Sequence, residues 1–371
     1  MTHSHHLPLP LAAESAEIPA PPGPLSRLVS LDAFRGFIMF WIVGGSALMA
    51  AFQKLGGNPI TDTIAQQLRH TDWQGLRFYD LIWPAFMLMT GLSLPFSYAK
   101  RSLHQTHGEI LRRVLRRCVV LFLLGSLRES VKLNAPYLIE LSSALQPIAI
   151  AYFAAFLLVR KTWQVQAAVG AFLLVGYGLA LAPFGYARGA NLVYYSDMAV
   201  LGRALPEGWG TAISTIPTIA TTILGLLLGR LLMSPRPAGE KVRIVAAVGL
   251  AGVALGAALN PVVPVIQKLW TTSYGLASAG CSCLMFLFFY WVIDVRGLRR
   301  WAFPFVVIGM NAVAIYMAGS LIPLRRIIGI FTTPLAAGLG PFGALFQAVA
   351  VLAVEWLILY WMYRRKIFLT G

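Results

Sequence analysis

The amino-acid sequence predicts an all-α polytopic membrane protein, a bundle of about ten transmembrane helices with both termini cytoplasmic. Three observations carry that expectation. Of 371 residues, 58% are hydrophobic and 12% charged, too little polarity to clothe a water-soluble domain. Apolar stretches long enough to cross a ~30 Å hydrocarbon core as helix recur along the whole chain. Lys and Arg concentrate in alternate connecting segments: with the N-terminus inside, 20 of the 30 fall on the cytoplasmic side, as the positive-inside rule requires.

In order, the apolar stretches lie near residues 33–52, 78–99, 144–159, 164–182, 212–233, 244–260, 273–293, 302–322 and 342–362. A tenth, near 114–128, is short and framed by arginines; without it the downstream basic clusters would fall outside. Arg325 and Arg326 sit against the rule in an outer loop. Residues 1–26 are rich in Pro, Ala and Ser, carry no Lys or Arg, and lack an uninterrupted apolar run. They read as a disordered cytoplasmic tail rather than a signal peptide, leaving 27–371 as the membrane domain.

Composition also excludes function classes. The net charge of +16 is divided among short membrane-flanking loops, so orientation and anionic lipid explain it and nucleic acid does not. His3, His5 and His6 lie in the flexible tail without partner carboxylates, and Cys118, Cys281 and Cys283 all lie in apolar spans. Neither set has disulfide or zinc spacing, so no metal is expected. No Walker sequence and no strand-linked G-x-G-x-x-G is present, which argues against ATP-driven pumping and dinucleotide chemistry.

Chemistry must then come from polar residues in or beside the membrane, where they are costly and therefore informative. The stretch RHTDWQGLRFYDLIWP, residues 69–84, is the densest such place. Asp80 stands about one turn into the second span and must be paired, protonated or facing water. His70 lies ten residues upstream, with Trp73, an interfacial aromatic on its own, and Gly75 between them. Gln146 and Asn311 are uncharged polar groups inside spans, able to bind substrate or to join helices. Glu355 is ionisable near mid-span. Asp32 can cap the first span while Arg35 snorkels or grips a phosphate. Arg112, Arg113, Arg116 and Arg117 share one side of a helix entering from the cytoplasm, suited to lipid phosphate or to a soluble polyphosphate.

SLDAFRG, HTDWQGLRFYDLIWPAFMLMTGLSLPFS, ILRRVLRRCVVLFLLG, ALQPIAIAYF, TILGLLLGRLL, IQKLWTTSYGL with VIDVRGL, and GMNAVAIYM resemble, in order from about residue 27, the motifs of the heparan-α-glucosaminide N-acetyltransferase family, and most of all its bacterial, glucosamine-related members. The resemblance implies a multi-pass enzyme of the bacterial inner membrane. It would move the acetyl group of cytoplasmic acetyl-CoA to the amino group of a glucosamine-type sugar on the periplasmic side. His70 matches the family's essential histidine and Asp80 the carboxylate after it: His70 as general base, Asp80 orienting it. A route through an acetyl-histidine remains open beside direct transfer. The same reading gives Arg35, Arg112, Arg113 and Arg117 to the phosphates of acetyl-CoA, and Trp73, Gln146, Asn311 and Ser46 to the acceptor. Ser46 stands where several members carry asparagine, so the polarising role of that amide is weakened or lost, and Pro147 in LQPI replaces a basic residue. The chain lacks the large lumenal portion of the animal enzymes, so the expected acceptor is a small periplasmic sugar or cell-wall fragment. A homodimer is left open. The rival is a proton-coupled transporter of an amino sugar or sugar acid with His70, Asp80 and Glu355 as its relay.

Overall fold

The computed structural model describes residues 28–137, 141 and 143–368; the expected tail over 1–26 lies outside the described residues. The helices, in chain order, are α1 (Val29–Leu55), α2 (Pro59–Gln67), α3 (Ile82–Ser102), α4 (His107–Leu133), α5 (Leu145–Leu157), α6 (Trp163–Leu181), α7 (Leu192–Leu201), α8 (Thr215–Met233), α9 (Ala238–Leu259), α10 (Thr272–Phe289), α11 (Phe303–Met310), α12 (Ala312–Leu321), α13 (Leu324–Ala337) and α14 (Gly343–Arg364). No β-sheet occurs among the described residues.

Seven helical segments are long and apolar enough to cross a membrane, or eight if the bent pair α11–α12 is one span. The protein is thus an all-helical membrane protein, with fewer self-sufficient spans than the ten expected. The difference rests on two elements. The apolar helix α5 is only 13 residues long, and α4, although 27 residues long, carries charge at both ends. At 1.5 Å per residue α4 measures about 40 Å. It starts in a capping box, where Thr106 and Glu109 exchange hydrogen bonds that satisfy two orphan donors. The Thr106 backbone N–H, donating to Glu109, holds that carboxyl below its ordinary range.

A correction concerns Asp32. It does not cap the first span, because α1 begins three residues earlier at Val29; Asp32 sits in the first turn and pairs with Arg35 at 3.3 Å.

Without a hydrophobic drive between helices in lipid, close approach needs small side chains. On the α3–α8 seam a Cβ at Gly91 would lie 1.9 Å from the Thr222 carbonyl oxygen, and one at Gly225 2.1 Å from that of Leu88. On the α1–α11 seam Gly36 and Gly309 approach backbone as closely, at 1.7 Å from the Phe305 oxygen and 2.0 Å from that of Asp32. Four helices are therefore locked backbone to backbone, and side-chain volume is left for the space between α1, α3, α4, α5 and α12. The 62° bend between α11 and α12, at Asn311, swings α12 across to pack on α4 and α1.

Candidate active site

The chain between α2 and α3 folds back into the bundle and builds half of the site. Gly75, at φ +124°, takes a conformation that suits glycine, and its N–H donates to the Val265 carbonyl at 2.8 Å. Arg77 then opens a short 3-10 turn, Phe78–Leu81. Its backbone N–H donates to Asp80 Oδ2 at 2.9 Å and its guanidinium to the His70 carbonyl at 2.9 Å. Asp80 is fully buried, and His70 Nδ1 lies 2.7 Å from its Oδ1. On the far side the Tyr274 hydroxyl at 2.6 Å and the Gln267 amide nitrogen at 3.5 Å donate to the Asp80 carbonyl oxygen. A buried carboxylate is tolerable only when so engaged, and this one fixes the ring. With Nδ1 committed to the carboxylate, Nε2 is the nitrogen left for chemistry.

The imidazole lines a cavity of about 850 Å³. Its side chain is 39% exposed, and Tyr79 and Trp209 flank it with ring centroids 4.7 and 5.3 Å away. Met39, Ile42, Phe86 and Ile148 make the apolar depth of the cavity, with Met39 and Ile42 near the middle of α1. Charge gathers elsewhere on the wall. Glu129, 5% exposed, is 2.6 Å from Arg128 and 3.6 Å from Lys132, and Arg128 lies 4.3 Å from the Tyr316 ring centre. On the 203–211 loop Glu207 pairs with Lys268 at 3.1 Å, and that hydrogen bond holds the Glu207 carboxyl below its ordinary range.

Of the residues singled out in the sequence, His70 and Asp80 are brought together; several others are not at the cavity wall. Trp73 lies in the layer of loops over the bundle, its indole N–H on the Tyr186 carbonyl at 2.9 Å and the Arg188 guanidinium 5.0 Å from its ring. Gln146 is fully buried behind the wall and donates to Ser126 Oγ at 3.0 Å. Asn311, also fully buried, donates to the Ile367 carbonyl at 3.1 Å and so ties the helix break to the C-terminal segment. Ser46 is exposed. Glu355 lines a second, apolar cavity of about 390 Å³ that contains neither His70 nor Asp80.

The arginines divide as well. Arg113 and Arg117, one turn apart on α4, come close enough to Arg101 for their charges to repel. Arg117 reaches the Tyr152 hydroxyl at 3.5 Å and lies 4.9 Å from that ring's centre. Arg112 is exposed and acts on Glu109 instead, and Arg35 is engaged by Asp32. One helix links this basic cluster to the cavity. On α5, Ile148 lines the cavity and Tyr152, four residues on, meets Arg117, a rise of about 6 Å.

Sequence reasoning passed over Glu129, Arg128, Trp209, Gln267 and Tyr316. The Glu129/Lys132 spacing at the end of an apolar run is a signal that could have been read. Nothing local marks Gln267 or Trp209, which reach the site from loops far along the chain. Comparison with known protein families and with curated proteins returns no match for this chain.

Proposed function

We propose that the protein is an acetyltransferase that takes the acetyl group of cytoplasmic acetyl-CoA and joins it to the amine of a glucosamine-type sugar on the opposite side of the bacterial inner membrane. The observation that carries this reading is the His70–Asp80 pair, 2.7 Å apart, on the wall of an 850 Å³ cavity whose depth lies one helical turn from the cluster Arg101, Arg113 and Arg117. The resemblance of the sequence motifs to the N-acetyltransferase family supplies the substrates.

A polyanion suits the basic cluster, where guanidinium groups grip phosphate oxygens in pairs; Arg101, Arg113 and Arg117 would hold it. Acetyl-CoA supplies an acetyl group activated as a thioester. His70 Nε2 accepts the proton that the acceptor amine gives up as its nitrogen bonds to the acetyl carbon, and passes it to the sulfur as the C–S bond breaks. Asp80 keeps Nδ1 protonated and stabilises the imidazolium. Tyr79 and Trp209, beside the imidazole, offer ring faces to a sugar. We place ten crossings with both termini cytoplasmic: α4 runs from the basic cluster to the cavity wall, α5 returns along it, and α11 to α13 make one broken crossing.

The test is incubation of the purified protein in detergent with acetyl-CoA and glucosamine, with free CoA and N-acetylglucosamine as readouts. Wild type forms both and His70→Ala forms neither; absence of product over a panel of amino sugars would sink the reading. The bent pair α11–α12 favours a second reading, since broken helices are a mark of transporters. Counterflow of labelled glucosamine into liposomes without CoA would favour a transporter.

A further inference from the structure

Behind the wall that carries His70 lies a recess of about 10 Å³. It shares Trp83, Trp209, Gly210, Thr211 and Gln267 with the large cavity, so the two adjoin. Four side chains around it hold buried polar atoms without a hydrogen-bond partner among the described residues: Trp83 Nε1, Trp270 Nε1, Gln267 Oε1 and the Thr211 hydroxyl, which can donate or accept. Trp270 and Gln267 are 2% and 3% exposed, and the two indoles stand edge to face with centroids 5.4 Å apart. Such groups are costly to leave unmet, and native proteins rarely do so. Trp270 is moreover held at φ +50°, a left-handed backbone that a bulky residue takes only when its surroundings impose it.

We infer that this recess is a subsite for one neutral hydroxyl group of the acceptor sugar. The inference deepens the acetyltransferase reading and rests on it. The polar atoms select the ligand chemistry. Two indole N–H groups alone would suit an anion, but Gln267, which lines the same recess, brings a buried carbonyl oxygen that repels one. The amide is turned this way by the contact of its Nε2 with the Asp80 carbonyl at 3.5 Å. A cation is repelled by the two N–H groups, and the nearby Lys268 Nζ is already bound to Glu207. What remains is an uncharged group that accepts from indole and donates to the amide. A hydroxyl does both, and the recess has the room for about one water-sized oxygen. Gln267, on the recess wall, also contacts the Asp80 carbonyl, so a hydroxyl seated there would set the sugar's position relative to the His70–Asp80 pair.

The test compares kcat/KM for glucosamine with its 3-, 4- and 6-deoxy analogues in wild type, Gln267→Met and Trp83→Phe. In wild type one analogue falls by about ten- to a hundredfold, the effect of leaving such partners unmet. In both variants that discrimination shrinks toward unity while the other analogues keep their ratios, which a merely structural defect would not produce. Equal use of all analogues by wild type, or undiminished discrimination in both variants, overturns the inference. So does a cryo-EM map with glucosamine bound that shows an isolated water in the recess and the sugar elsewhere. If no amine is acetylated the function reading fails separately. Calorimetric binding of glucosamine against the same deoxy sugars then reads the subsite: equal affinity rejects it and a selective loss supports it.

Discussion

In the proposed reaction His70 acts through a partner that is fixed in advance. Both carboxylate oxygens of Asp80 and its carbonyl are occupied by Thr71, Arg77, His70, Gln267 and Tyr274, so the imidazole orientation is inherited rather than sampled. Asp80→Asn should therefore keep the fold and lower kcat by roughly 10²- to 10⁴-fold, as loss of the correct tautomer does in a triad, with KM for acetyl-CoA unchanged; steady-state kinetics in detergent checks this. Glu207 gives a pH prediction. Its pairing with Lys268 lowers its folded pKa below the ordinary 4.5, so the pair's contribution is complete above that value and fades as pH falls through the lowered one. Hydrogen exchange over residues 203–211, corrected for intrinsic rates, should rise toward low pH in wild type and be raised already, and flat, in Lys268→Met. At this scale Asp80 was conspicuous as an ionisable group in an apolar span, and His70 was singled out through the family motif; the structure places the two 2.7 Å apart. Gln267 was not legible: a lone glutamine in a loop shows its burial and its unmet oxygen only once the chain has folded.

Among the helices, the long apolar ones could be read from composition, and those governed by what they touch could not. The sequence places a short span near 114–128, yet the helix runs from His107 to Leu133, because the capping box starts it early and the charged ends remain helical. Near 302–322 a single span is expected; the bend at Asn311 has no proline at the break and follows from packing of α12 on α4. Glycine seams make a prediction here. Gly91→Ala would push a methyl group against the Thr222 carbonyl, so α3 and α8 must part. A loss of about 1–3 kcal/mol is expected, seen as a lower thermal unfolding midpoint in detergent, whereas Gly108→Ala, with open space around it, should leave the stability within about 0.5 kcal/mol of wild type.

Over the whole molecule, charge is sorted by end and depth. Arg101, Arg113 and Arg117 gather near Tyr152 of α5, while Arg128, Glu129, Lys132 and Glu207 line the cavity. Arg117→Gln should raise KM for acetyl-CoA and weaken its dependence on salt without changing KM for the amino sugar, as measured from initial rates at two ionic strengths. The sorting follows from the bilayer. Only the ends of spans and water-filled hollows tolerate ions, which is why the Lys and Arg distribution carries the proposed orientation. The one-turn separation of Ile148 from Tyr152 on α5 has an electrical consequence. In the proposed topology a hollow reaching to the middle of α1 brings the outer solution deep into the bilayer, so most of the transmembrane voltage would drop across the thin layer of packed side chains beneath it. A unit charge carried through that layer feels nearly the full potential, about 2.3 kcal/mol per 100 mV. A neutral acetyl group feels none.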